Sequence, residues 1–287
     1  MTTHPESSAA AIVVVHHKSL ETLGRTIQSL VANDVSADRI VVVDNSGDVV
    51  SDEALAHVLV DGVRLLRIPN GGYANAVNRG MLFVGSEMRP GADDGVLVVT
   101  HEVLFRLGSV AILADALASD PDLSAVGPVL RAEPRAEGVL WSGGGRLTRF
   151  LRLPRHSFEV PAGVNRCAWL DGAAVMYRWK AVRQNPLSEQ YFLYMEEVDY
   201  HLRLGRAYGP VAVVPEAVAS QSSAGQPPYW TCRNIRIFAR SWGRPGFRFM
   251  AVALTCGKVV ARASLHRDGQ ALRAAVAGYR AGGRRSA

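Results

Sequence analysis

The chain has 287 residues, 48% apolar and 20% charged, which suits one large α/β domain with additions and excludes a disordered chain. Its three cysteines, Cys167, Cys232 and Cys256, lie far apart, so the spacing holds neither a disulfide framework nor a zinc site. The net charge of +6 is unevenly spread: residues 1–227 carry 20 Lys+Arg against 25 Asp+Glu, and residues 228–287 carry 12 against one. A tail so basic suggests an anionic partner such as a membrane surface, a phosphorylated lipid or nucleic acid.

The first ten residues, MTTHPESSAA, show no basic region followed by an apolar core. No signal peptide is therefore expected, and residues 1–8 are expected to be disordered. Residues 9–15 (AAAIVVV) read as a strand buried on both faces. Leu20, Leu23, Ile27, Leu30 and Val31 then recur at helical spacing. A second buried strand, 40–43 (IVVV), stops abruptly at Asp44-Asn45-Ser46-Gly47. A short helix around 51–60, a third strand at 63–68, a turn at 69–72 and a helix over 73–85 follow. The fourth strand, 96–99, ends in Thr100-His101-Glu102, and Leu107, Val110, Ala111, Ala114 and Leu117 mark the next helix. This alternation predicts a mostly parallel, Rossmann-like sheet flanked by helices, with ligands beyond the carboxyl ends of its strands. His16-His17, Asp44-Asn45, Asn70–Gly72 and Thr100–Glu102 all fall at those ends. A dinucleotide-binding domain would need a glycine-rich turn after the first strand, where this chain has HHKSLETLG.

Residues 121–170 are less regular. Strands are expected at 125–130, 139–142 and 147–153, the last two joined by a mobile glycine link, Gly143–Gly145. Residues 191–203 (YFLYMEEVDYHLR) then bring an aromatic, apolar approach to two adjacent carboxylates, Glu196 and Glu197. Asp199 stands four residues before Arg203, a helical pairing distance. Water-poor surroundings raise a carboxylate's pKa and make it a better base. In the tail, Arg233, Arg236, Arg240 and Arg244 recur at three or four residues, opposite Trp230, Ile237, Phe238 and Trp242. Such a helix can lie on a membrane or cover the domain with its apolar face; the cap is the expectation, with membrane contact in addition. The best apolar run, 249–257, is too short to span a bilayer, and a reducing cytoplasm fits the cysteines.

Three segments resemble family 2 glycosyltransferases. VVVDNSGD (41–48) is similar to the family's Val-Val-Asp-Asn-Ser segment, NGGYANAVNRG (70–80) to its Asn-x-Gly-aromatic-Ala-x-Ala-x-Asn-x-Gly signature, and 191–203 to its catalytic Glu-Asp segment. The ordered motifs cover residues 10–225, and Arg233-Asn234 resembles a pair in rhamnosyltransferase-like relatives. The resemblance implies a GT-A fold: a domain over 9–226, with a nucleotide-binding half at 9–120 and an acceptor and catalytic half at 121–226, then a basic helical C-terminal extension over 227–287. It implies an inverting glycosyltransferase that moves a sugar from a dTDP or UDP donor to an acceptor hydroxyl. The acceptor would be a surface glycan, a lipid-linked sugar or a small secondary metabolite. Glu197 takes the place of the catalytic Asp, with Glu196 beside it. Asp44 would hold the base, while His16, Asn70, Gly72, Ala74, Asn78, Thr100 and His101 would shape the nucleotide-sugar site. Trp169, Asp171 and Gly172 would line the sugar or acceptor pocket. Glu102 would hold Mg²⁺ or Mn²⁺, in a metal site altered by Thr100, His101 and Gln221. The altered residues also leave a catalytically silent sugar-nucleotide-binding protein or partner subunit as the alternative. Nucleic acid is not expected as a partner. A homodimer and a place at the inner face of the membrane stay open.

Overall fold

A computed structural model of the protein describes residues 9–133, 139–222 and 225–284. The disordered segment expected at 1–8 lies outside these. Runs of β-branched residues form the first strands, which alternate with helices: β1 (Ala11–His16), α1 (Leu20–Ala32), β2 (Ile40–Asp44), α2 (Asp52–Ala56), β3 (Arg64–Arg67), α3 (Tyr73–Phe83) and β4 (Gly95–Thr100). β1 and β2 are buried throughout, as strands covered on both faces must be. α1 buries Leu23, Ile27 and Leu30, whereas Val31 turns outward at 41% exposure. α2 is shorter than its apolar pattern predicts; the Ser51 side chain caps its start by accepting from the Ala54 N–H.

The second half runs through β5 (Val103–Phe105), α4 (Ser109–Ser119), β6 (Ala125–Ala132), β7 (Val139–Ser142), β8 (Gly145–Leu147), β9 (Pro154–His156), β10 (Asn165–Cys167), β11 (Ala174–Arg178), α5 (Trp179–Val182), α6 (Glu196–Ala207) and β12 (Val211–Gln221). Leu107, read as part of the fourth helix, precedes it and is exposed. The strand expected at 147–153 is also corrected. β8 stops at Leu147, a tight turn follows in which the Arg152 N–H donates to Thr148 O, and β9 returns beside β8. The glycines before it are no loose link. The Gly143 N–H donates to Ser157 O, and the Gly145 N–H to Trp169 O.

The main sheet has the order β10-β12-β6-β11-β4-β1-β2-β3. β4, β1, β2 and β3 are parallel, and β11 runs antiparallel between β4 and β6. β1 therefore sends its chain to one side and receives β4 on the other, which opens a crevice at the carboxyl ends of these two strands. One apolar core lies under α1 and α4 and a second under α3. A third joins Trp169, Tyr191 and Val198 to Ile235, Phe238 and Trp242 of α7 (Pro228–Trp242) and Ala251 of α8 (Arg248–Leu265). The last helix, α9 (Gly269–Ala281), packs on α7: Arg236 donates to Tyr279 O and lies over the Tyr279 ring.

Candidate active site

The residues at the strand tips form three connected groups. The first is the acid pair that opens α6. Phe192, Tyr194 and Met195 all have positive φ (66°, 69° and 76°), so the chain corners sharply before Glu196. Such conformations cost on the order of 1–3 kcal/mol each and persist only where neighbours over-determine them. Here the neighbours come from two directions. The Tyr73 N–H donates to Phe192 O at 2.8 Å. From α7, the buried Asn234 amide donates to Leu193 O and Tyr194 O at 2.7 and 2.9 Å, and Arg233 donates to Gln190 O and Tyr191 O. Trp230 stacks flat on Phe192, with centroids 4.9 Å apart.

The corner leaves Glu196 buried, with one carboxylate oxygen unpartnered, and Glu197 partly covered. Burial pushes Glu196 up to about 7 against the pull of its own N–H and that of Tyr194. Glu197 is pushed well above the carboxylate range, first by burial and then by the charges of Glu196 and Asp171. Two acids so close share protons, so the pair titrates as a unit. Gly172 packs directly on Glu197: a Cβ there would lie 3.3 Å from the Glu197 Cβ. Asp171 accepts from the Trp141 indole at 2.9 Å and from the Ala173 N–H at 3.0 Å. The Tyr73 hydroxyl donates to Gly172 O at 2.6 Å, tying the start of α3 to the acids. Gly72 allows this approach; its φ is +88°, and a Cβ would meet Phe192 O at 2.2 Å.

The second group lies at the tips of β1, β2 and β4. His16 Nδ1–H donates to Asp44 Oδ1 at 2.9 Å, and both side chains are fully buried. The Ser46 N–H also donates to Oδ1, and Arg67 Nε stands 3.3 Å from Oδ2. Asn45, absent from the expected site residues, clamps the glycine turn by donating to Gly72 O and accepting from the Gly71 N–H. His101 crosses His16 edge to face at 5.2 Å. Burial takes His101 down to about 4, so its ring is neutral at pH 7. Its Nδ1–H donates to Val15 O, which leaves the Nε2 lone pair 3.9 Å from Glu102 Oε1. Glu102 Oε2 accepts from the Ser222 hydroxyl at 2.7 Å. Thr100 closes β4 with its N–H on Ala173 O. Gln221 pairs with Val103 in the sheet, next to Glu102 in sequence. Among the described residues no three His, Cys, Asp or Glu side chains gather as a metal site. Glu102 and His101 offer one hard oxygen and one neutral nitrogen. That pair fits an ion that keeps several waters and takes other ligands from a diphosphate. Tyr194 joins the first two groups, since its hydroxyl feels the charges of Glu196, Glu102 and Glu197.

The sequence model of Glycosyl transferase family 2 matches residues 11–89, which hold the tips of β1 and β2 and the glycine turn but not β4. That match takes in a little over a quarter of the chain. Two curated relatives, the N-acetylglucosaminyl-diphospho-decaprenol L-rhamnosyltransferases of two Mycobacterium tuberculosis strains, are each 32% identical. The aligned region covers 54% of this chain and 57% of each relative, so the chain spans little more than half their length. Solved structures with the same fold include GalNAc-T7 with UDP, GalNAc and Mn²⁺ (TM-score 0.63, 14% identity, 83% of this chain and 49% of that one). Another is the mannosyltransferase PcManGT from Pyrobaculum calidifontis with GDP-Man and Mn²⁺ (TM-score 0.53, 15% identity, 93% and 73%). The fold is GT-A.

The third group shows where the signature residues go. Asn70 accepts from the Gly72 N–H and is itself exposed, and Ala74 is buried in the first turn of α3. Asn78 is occupied by the loop before the acids: its amide donates to Leu187 O and Glu189, and its oxygen accepts from the Leu187 N–H. Asn75 donates to the same Glu189. Asn75 and Asn78 of α3 thus position the loop at 185–190. Trp169 is core, 3% exposed, with its indole N–H directed to Arg146 O and its ring edge-on to His156.

Proposed function

We propose that the protein is an inverting glycosyltransferase that moves a sugar from a dTDP or UDP sugar to an acceptor hydroxyl. The observation that carries this reading is the Glu196–Glu197 pair at the mouth of the crevice, with pKa values raised by burial. In its ionised form Glu197 takes the acceptor proton while that oxygen bonds to the anomeric carbon. The bond from that carbon to the diphosphate oxygen breaks, and the diphosphate leaves with the electron pair. Base strength rises with pKa, so a carboxylate held above its usual range removes a proton better once it is ionised. Asp44 acts from within its buried network, fixing the tip of β2 where the base sits. Asn70, Gly72 and the Asn45 clamp set the glycine turn beside the diphosphate, and His16, Ala74 and Thr100 shape the rest of the nucleotide-sugar site. Asp171 and Gly172 form the wall against Glu197. A divalent ion, Mg²⁺ or Mn²⁺, would be held by Glu102 and His101 and would neutralise charge on the leaving diphosphate.

The mycobacterial relatives act, by name, on a diphospho-decaprenol-linked sugar. That supports a lipid-linked acceptor in surface-glycan assembly, with a small metabolite as the second class to screen. The thiols of Cys167, Cys232 and Cys256 are free, which fits work in the cytoplasm.

Binding of dTDP, UDP and GDP sugars, with and without Mn²⁺, identifies the donor by calorimetry. The test of the reaction is Glu197→Gln. It should lower transfer by about 10²–10⁴-fold, the contribution of a positioned base, with donor affinity nearly unchanged. A loss below tenfold would remove Glu197 from that role. Donor binding without transfer to any acceptor by the unaltered chain would favour the silent binding protein.

A further inference from the structure

The cations of the basic tail fall into two sets. Those of α7 are bonded to other parts of the protein: Arg233 holds the corner before the acids, and Arg236 and Arg240 donate to carbonyls at Tyr279 and Gly283. α8 is different. Of its 18 residues only Ala251, Val252 and Ala263 are buried. Met250, Leu254, Gly257, Ala261 and Leu265 follow at intervals of three or four, so they lie along one helix face. That face is turned to solvent, with Leu265 80% and Leu254 46% exposed. An apolar stripe of this kind marks an interaction surface. Cations border it. Lys258 shares a cavity of about 490 Å³ with Arg149 and Arg155 of the β8–β9 hairpin, over apolar walls formed by Phe150, Leu254 and Val259. Arg262 continues the basic edge along α8, and residues 245–267 contain no Asp or Glu.

Two occupants suit an exposed apolar stripe, a second copy of the chain or a bilayer. In a symmetric dimer the stripe would bring identical cations together with no acid on this face to pair them, and like charges across an interface are costly. A bilayer carrying anionic lipid offers phosphates to the cations and an apolar layer to Met250, Leu254 and Leu265. No helix among the described residues is long and apolar enough to cross a membrane, so α8 would lie in the plane of the surface. We propose that α8 and the β8–β9 hairpin dock the protein on a membrane surface that contains anionic lipid.

The test is co-sedimentation of the full chain with vesicles of phosphatidylcholine, with or without phosphatidylglycerol. The expected result is binding to the phosphatidylglycerol vesicles that weakens as salt is raised. Each cation near an anionic surface contributes about fivefold in affinity, so Lys258→Glu with Arg262→Glu should cost at least about 20-fold. Leu254→Ser with Leu265→Ser should also weaken binding, and both pairs are exposed enough to leave the melting temperature unchanged. Absence of binding to phosphatidylglycerol vesicles, or binding by both double variants as tight as that of the unaltered chain, would overturn the proposal. A dimer seen in analytical ultracentrifugation and broken by Leu254→Ser with Leu265→Ser would overturn it in favour of self-association. The assay involves no sugar transfer, so it stands or falls separately from the proposed activity.

Discussion

Glu196 and Glu197 are neighbours in sequence, yet burial separates their work. Glu196 is enclosed, with one oxygen lacking any partner, whereas Glu197 lies against Gly172 beneath the open crevice. The raised pKa of Glu196 has a consequence for stability. The folded acid pair, with Glu196 raised to about 7, holds its protons to higher pH than the unfolded chain, which releases them near the ordinary 4.5. Stability from this group is therefore full below the unfolded value and is lost as pH rises through the folded one. Glu196→Gln cannot ionise and should escape that loss. It should stabilise the protein at pH 8 by on the order of 2 kcal/mol and leave it unchanged at pH 4. Thermal unfolding at the two pH values measures this, and equal effects at both would assign the change to packing. At Glu102 the prediction concerns metal. With one carboxylate and one neutral imidazole available, EDTA should slow transfer without stopping it, and Glu102→Ala should do the same. Complete loss in EDTA, restored by Mn²⁺, would reveal a stronger metal centre than these two ligands make.

Among the elements, α7 does more than cover the domain. Asn234 supplies the hydrogen bonds to Leu193 O and Tyr194 O in the positive-φ corner, and Trp242 donates to Asp199, which in turn pairs with Arg203 at 3.0 Å. α6 is therefore fixed at its start and along its first turns by a helix distant in sequence. Asn234→Ala leaves two buried carbonyls without donors, a cost of about 1–3 kcal/mol. Because a small misplacement of a catalytic group is costly, kcat should fall by up to about 100-fold, with the KM for the donor little changed. Steady-state kinetics separates the two parameters; a rise in KM alone would show that the corner serves donor binding. The Asp199–Arg203 pair and the helix after the acids were both legible in the sequence, because they depend on local spacing. The corner itself was not, since nothing in Phe-Leu-Tyr-Met announces three positive φ angles.

For the whole molecule, the C-terminal helices complete a core instead of extending one. Trp169, Tyr191 and Val198 pack with Ile235, Phe238 and Trp242, so neither side has a closed surface without the other. We therefore expect one cooperative unit in place of a domain with an appendage. A chain ending at Gln226 should fail to unfold cooperatively and should aggregate, whereas the full chain should show a single thermal transition. A soluble truncated chain with a sharp transition and native-like near-UV circular dichroism would restore the two-part division.

The alternation of strands and helices, the tips that face the crevice and the acid pair follow from the sequence alone. Burial on both faces demands unbroken apolar runs, and a helix start demands local capping chemistry. Other features were decided only by the tertiary structure. Asn78 reads like a ligand residue but is taken up by Leu187 and Glu189, more than a hundred positions away. Trp169 reads as a pocket residue by its resemblance, but the glycine strand and the C-terminal helices close over it. The arginines of α7 and the apolar residues of α8 look alike as a basic, amphipathic tail. Only the tertiary structure bonds the first set to carbonyls at Gln190, Tyr191, Tyr279 and Gly283 and leaves the second facing solvent, because a helix's periodicity defines its faces but not which of them finds a partner.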